Sequence, residues 1–175
     1  LVHEDVLPGG NAEPGSVPAQ TSAFSGAAGS LDALVDFGAD GRGSFSLRTE
    51  PGVLAGLQAL KLSSGGVALS YSVSADGVTL SATAAGAPVF TLVVGADGSY
   101  SFTLQGPLDH PLANGSDSET LGSSGLALDF SALLLATDFD GDAVAGGFAS
   151  GSFVIDIEDD VPTQAGATGQ AVIGL

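Results

Sequence analysis

The sequence predicts an all-β fold, an antiparallel β-sandwich with a partly closed β-barrel as the alternative, and three observations carry that expectation. Apolar residues alternate with Ser and Thr at period two along most of the chain, as in Ser44-Phe45-Ser46-Leu47. The alternating stretches are short and end in Gly- and Asp-rich turns, the punctuation of hairpins. A 3.6-residue period is suggested only at Val53 to Leu62. With 44% hydrophobic residues and a mean hydropathy of +0.39 in 175 residues, there is enough apolar material to fill one core.

In chain order, Pro8 to Gly29 is rich in Gly, Pro, Ala and Ser and predicts an irregular opening segment. Alternation starts after Asp36. At Val53 to Leu62, Leu54, Leu57 and Leu60 are spaced for a helix, but Pro51-Gly52 and Gly56 oppose one, which leaves a short helical turn and an irregular strand both open. Val67, Leu69, Tyr71 and Val73 share one strand face, and Ala75-Asp76-Gly77 turns the chain into Val78, Leu80 and Ala82. The same grammar repeats with Phe90, Leu92 and Val94, the turn Gly95 to Gly98, and Tyr100, Phe102 and Leu104. Further strands are expected at Leu126 to Phe130, Leu133 to Thr137 and Phe148 to Ile157, the last with Phe153, Ile155 and Ile157 on one face. Seven or more such strands suit an immunoglobulin-like or cadherin-like Greek-key sandwich over residues 1–162, with 163–175 as a tail leading into a following unit. The three Ala-Asp-Gly triplets at 39–41, 75–77 and 96–98 lack a fixed period and read as turn grammar.

Charge excludes whole classes of function. Against 20 Asp and Glu stand only Arg42, Arg48 and Lys61, and a net charge of -17 repels nucleic acid and anionic membrane surfaces. The longest apolar runs, Val89 to Val94 and Ala132 to Ala136, fall far short of the roughly 18 residues of a membrane span, so no insertion is expected. The segment Leu1-Val2-His3-Glu4-Asp5 has neither the basic nor the apolar part of a secretory signal. Without Cys there is no thiol chemistry, and with two His and no G-x-S-x-G string no nucleophilic triad is supported. Without Trp, and with two Tyr, the usual sugar-stacking platform of a glycosidase is missing too. The chain is expected not to be an enzyme.

Oxygen is the plentiful ligand atom, and it is concentrated in Thr137-Asp138-Phe139-Asp140-Gly141-Asp142. Carboxylates at Asp138, Asp140 and Asp142 converge if the glycine bends the chain, and such a group repels itself unless protonated or neutralised. A Ca2+ ion suits a loop of mixed carboxylates and carbonyls better than Mg2+, which prefers a tight octahedron. Glycine at the fourth position and no Glu twelve in distinguish the loop from an EF-hand. Asp109 is a candidate further ligand; His110 is a weaker one. A second acidic group joins Glu4 and Asp5 at the head to Glu158, Asp159 and Asp160 at the tail, where Glu4-Asp5-Val6 is echoed by Asp159-Asp160-Val161. As one period of a tandem array, the tail of one unit would meet the head of the next and share calcium. Asn114-Gly115-Ser116 reads as a turn, and the Gly/Ser stretch Asn114 to Gly125 is the best candidate for a binding loop.

The ordered series of motifs resembles a known family, the extracellular repeat units of giant repeats-in-toxin biofilm adhesins exported by type I secretion. The resemblance is carried by His3-Glu4-Asp5, Val35-Asp36-Phe37-Gly38-Ala39-Asp40-Gly41, Leu62-Ser63-Ser64-Gly65-Gly66 and Val89-Phe90-Thr91-Leu92. It continues through Asp97-Gly98-Ser99-Tyr100-Ser101-Phe102-Thr103-Leu104, Leu108-Asp109-His110, the Asp138 loop and Ile157-Glu158-Asp159-Asp160-Val161-Pro162. It implies a calcium-dependent module on the bacterial cell surface that extends an adhesin for cell adhesion and biofilm formation. Its partners would be neighbouring repeats of the same polypeptide, with a surface peptide or glycan if the unit itself grips a ligand. The nonapeptide G-G-x-G-x-D is absent, which speaks against a β-roll.

Overall fold

The computed structural model describes residues 1–11, 19, 21–109 and 127–160. Its strands in chain order are β1 (Val2–His3), β2 (Ser22–Gly26), β3 (Arg42–Leu47), β4 (Ser63–Ser64), β5 (Val67–Val73) and β6 (Thr79–Ala84). They continue with β7 (Ala87–Val94), β8 (Tyr100–Leu104), β9 (Leu128–Asp129), β10 (Leu134–Asp138), β11 (Val154–Ile155) and β12 (Ile157–Glu158). One short helix, α1 (Ala55–Ala59), lies between β3 and β4.

The alternation produces the larger sheet. Strands β4 to β8 form an antiparallel meander and β2 adds itself beside β8, in the order β2-β8-β7-β6-β5-β4. Both expected hairpins are present, with Val73 opposite Leu80 and Val94 opposite Tyr100. Directly paired residues point to the same face. One row, Tyr71-Ala82-Phe90-Leu104, therefore faces inward, and the next, Ser72-Ser81-Thr91-Thr103, faces outward. The sheet curls into a half-barrel around its apolar face.

A second layer covers that face: β3 with β10 and β9 with β11, both antiparallel, and β1 with β12 in parallel. It brings Phe45, Leu47, Leu128, Phe130, Leu134, Ala136, Ile155 and Ile157 into one buried cluster with the sheet. Phe130, fully buried, joins the layers: its ring centroid lies 5.9 Å from Phe102, 6.2 Å from Phe90 and 6.1 Å from Phe153. The fold is an all-β sandwich, as expected.

Backbone bonds also tie β3 to the hairpin turns of the sheet. Phe45 N–H donates to Ala96 O at 3.2 Å and Leu47 N–H to Gly77 O at 2.6 Å. Gly77 has φ +68, and a Cβ there would stand 2.6 Å from Leu47 O, so the turn requires glycine for both its conformation and its close approach.

Two elements depart from expectation, and between them an open alternative is decided. Ser22–Gly26, in the segment read as irregular, is strand β2, because β8 supplies a partner and Phe24 sits opposite Phe102. Val53 to Leu62 resolves as helix, short because Lys61 at φ 51 turns the chain out of it. Phe148 to Ile157 is not one strand: the loop through Gly146, Gly147 and Gly151, all at positive φ, leaves only β11 and β12. Phe153, Ile155 and Ile157 nevertheless share the buried face. His110, the Asn114 to Gly125 stretch and the 163–175 tail lie outside the described residues.

Phe130→Ala removes the ring that links the layers, and a loss of about 3–5 kcal/mol is expected from the cavity it leaves. Urea unfolding should show a lower midpoint at unchanged slope; a midpoint within error of the parent would contradict this account of the core.

Candidate metal centre

The pairing of β3 with β10 builds the acidic site. The register shifts between Thr137 and Asp138, so Asp138 falls opposite Arg42, and the chain before β3 lies against the chain after β10. Gly43 permits this: a Cβ there would stand within 2 Å of Asp138 O, inside any allowed contact. Phe139 N–H then donates to Gly41 O at 3.2 Å, which holds the Gly38–Asp40 turn beside the Asp138 loop.

Asp40, Asp138 and Asp140 each offer a carboxylate oxygen within 4.8 Å of the others. Asp138 Oδ1 accepts from Gly141 N–H at 3.1 Å and Asp142 N–H at 2.8 Å, and Asp142 O accepts from Asp138 N–H at 3.0 Å. The hydrogen bond to Asp140, supported by those amides, holds the Asp138 carboxyl below the usual range. Asp140 is pushed up by that same hydrogen bond and by the negative charge of Asp138. The two carboxylates thus crowd each other, and a cation between them would relieve the repulsion. The two arginines are paired with other acids: Arg42 Nε with Asp32 at 2.9 Å and Arg48 with Glu50 at 3.6 Å.

An open cavity of 270 Å³ adjoins the triad, walled by Leu34, Val35, Phe37 and Val144, with Asp36, Asp138 and Asp142 in its lining. Phe139 stands 82% exposed at the tip of the loop.

The expected ligand set is therefore redrawn. Asp138 and Asp140 converge, but Asp40 takes the place in the triad given to Asp142, whose amide serves Asp138 as the chain turns back at Gly141. Asp109 lies at another turn. Its two oxygens accept from Gly65 N–H at 2.9 Å and Gly66 N–H at 2.8 Å, pinning the β4–β5 hairpin.

The terminal acids are also placed differently. Head and tail meet within one chain, because Val2 pairs with Ile157 and His3 with Glu158. Glu4, only 3% exposed, accepts from Leu108 N–H at 2.8 Å through Oε1, and its own amide donates to Glu158 O at 3.0 Å. His3 Nδ1 lies 2.5 Å from Glu158 Oε2, and Asp160 accepts from Asn11 N–H at 3.0 Å. Asp5 follows β1 in a turn and Asp159 follows β12. The three-carboxylate group found among the described residues is Asp40, Asp138 and Asp140, and none of these terminal acids belongs to it.

A family model described as a domain of unknown function, DUF5801, matches residues 2–148. The chain belongs to that family. No curated protein and no solved structure matches the chain. The triad lies wholly within the matched part of the DUF5801 domain, whereas β11 and β12, which pair with β9 and β1, follow it.

Other aspartates in this DUF5801 domain serve turns. Asp76 accepts from Ser74 Oγ at 2.5 Å and Val78 N–H at 3.1 Å, and Asp97 from Ser99 Oγ at 2.6 Å and Ser99 N–H at 3.0 Å. Both carboxyls are lowered chiefly by the serine hydroxyl. Asp40 occupies the same Ala-Asp-Gly triplet, and what sets it apart in the structure is its position just before β3, whose partner β10 ends at Asp138.

Asp129 closes the loop before β11. It accepts from Ser131 N–H at 2.9 Å, Ser150 Oγ at 2.7 Å and Gly151 N–H at 2.8 Å. Partial burial pushes its carboxyl up, yet these hydrogen bonds outweigh that and bring the pKa down to about 2. Because the folded value lies below the ordinary 3.8, its contribution is complete above that value and is lost as pH falls toward about 2. Asp129→Asn should cost roughly 1–3 kcal/mol at neutral pH. The variant should also flatten the acid limb of stability against pH, and an unchanged limb in acid titrations followed by circular dichroism would refute this role.

Proposed function

We infer that this domain is a calcium-stabilised extracellular module of a large bacterial adhesin, exported by type I secretion, which holds the adhesive end of the molecule away from the cell surface. The observation that carries the reading is the convergence of Asp40, Asp138 and Asp140, while the nearby Arg42 makes its ion pair with Asp32 and Arg48 makes its own with Glu50. Calcium takes six to eight oxygens in a flexible shell, which fits carboxylates drawn from two loops and completed by carbonyls or water. The ordered motifs shared with repeats-in-toxin adhesin units support the same reading. So does the charge of -17: where calcium is scarce the acidic chain repels itself, and where calcium is near millimolar its binding free energy adds to folding. Export of a loosely folded chain and folding outside are coupled by that difference.

No helix among the described residues is long and apolar enough to cross a membrane, so in this reading the module is held at the surface by the rest of its polypeptide. The cavity beside the triad favours one second reading, an adhesive module that grips a peptide or glycan there. Saturable binding to a glycan or peptide array, lost on Val35→Arg, would establish it; an array with no binder leaves the spacer.

Thermal melting in chelator, calcium and magnesium tests the main reading. A site of about 10 μM affinity at about 1 mM free calcium adds roughly 2.7 kcal/mol, so calcium should raise the melting temperature and magnesium should do so poorly. Asp40→Asn and Asp140→Ala should abolish that rise, whereas Asp142→Ala should retain most of it. Equal melting curves in chelator and calcium would overturn the reading.

A further inference from the structure

The one parallel pairing among the described strands joins the two ends of the chain's fold. Strand β1 is the first and β12 the last of the described strands. In a parallel pair both strands run the same way, so tension on the chain before Val2 and after Glu158 acts in opposite senses along one shared axis. The bonds between them are then loaded together, in shear. An antiparallel hairpin pulled from its open end instead breaks bond by bond.

We propose that β1–β12 is a load-bearing clamp, which takes tension applied through the two ends of the domain before any other element feels it. Four features reinforce it. Val2 N–H donates to Asp156 O and Glu4 N–H to Glu158 O, both at 3.0 Å, bracketing the pair. Val2 and Ile157 are wholly buried, and slipping the register by one residue would turn one of them out of the core. His3 and Glu158 are joined through their side chains, and Asn11 N–H holds Asp160 just beyond β12. The Glu4 carboxylate, bonded to Leu108 N–H, anchors the residue after β1 to the chain that follows β8. Load bearing rests on the reading of the domain as one unit in an extended adhesin; the clamp geometry itself needs neither calcium nor that reading.

Single-molecule force spectroscopy on the full chain tests it in two geometries. One pulls through the two chain ends. The other pulls through cysteines introduced by Ala75→Cys and Ala96→Cys, on the exposed turns of the β5–β6 and β7–β8 hairpins, which separates β6 from β7 and bypasses the clamp. Forced unfolding reports the barrier along the pulled direction. The end-to-end force is expected to be about double the turn-to-turn force or more, because the bonds of the pair are loaded together instead of one by one. His3→Ala and Glu158→Gln should lower the end-to-end force by a third or more and leave the turn-to-turn force unchanged. Equal forces in the two geometries, or variants that lower both alike, would overturn the clamp. Repeating the end-to-end pull in chelator separates the two ideas: a high force with no calcium-dependent melting keeps the clamp and removes the calcium module, and the converse removes only the clamp.

Discussion

The pairing of β3 with β10 is the constraint on which most of this molecule depends. It sets Phe45, Leu47, Leu134 and Ala136 into the core, so the second layer exists largely because these two strands meet. The amides of β3 also reach the turns at Gly77 and Ala96, which ties that layer to the tips of the larger sheet. At its far end the same pairing shifts register over Gly43 and brings Asp40 against Asp138 and Asp140. Core, inter-layer link and acidic site are three consequences of one strand pair, so damage at Gly43 would reach all three.

Acidic residues do separate work according to what surrounds them. Asp76, Asp97, Asp109 and Asp129 accept amide or hydroxyl protons and thereby fix turns. The charge on those carboxylates is satisfied locally by dipoles, which is why Asp129 is held low. Asp40, Asp138 and Asp140 differ because their oxygens face one another, leaving repulsion that only a proton or a cation relieves. Glu4 is a third case, a nearly buried carboxylate serving the backbone of Leu108. A net charge of -17 is therefore not spread evenly in its effect; among the described residues three carboxylates face one another at the triad.

The meeting of head and tail within one chain changes what a neighbouring unit would encounter. An acidic head and tail left open would invite a shared ion at a junction. Instead Glu4, Glu158 and Asp160 have partners inside the domain, and the ends leave in opposite directions from a parallel pair.

Period-two alternation determined the two central hairpins, the inward row through Phe90 and Phe102 and the outward Ser/Thr face, because a strand's side-chain period is local and legible in any short stretch. Composition likewise determined that oxygen is the available ligand and marked Asp138 and Asp140, which stand two positions apart just before Gly141. Tertiary structure alone decided the rest. Strand β2 lacks a strong local pattern and exists because β8 offers its edge. Asp40 joins the triad through a contact between residues nearly a hundred positions apart, and its triplet is the same as those at Asp76 and Asp97. The terminal acids carried a true signal of pairing, but whether they pair within one chain or between two depends on the path of everything between them. Local spacing has no access to that path, because long-range register is set by which faces must be buried together.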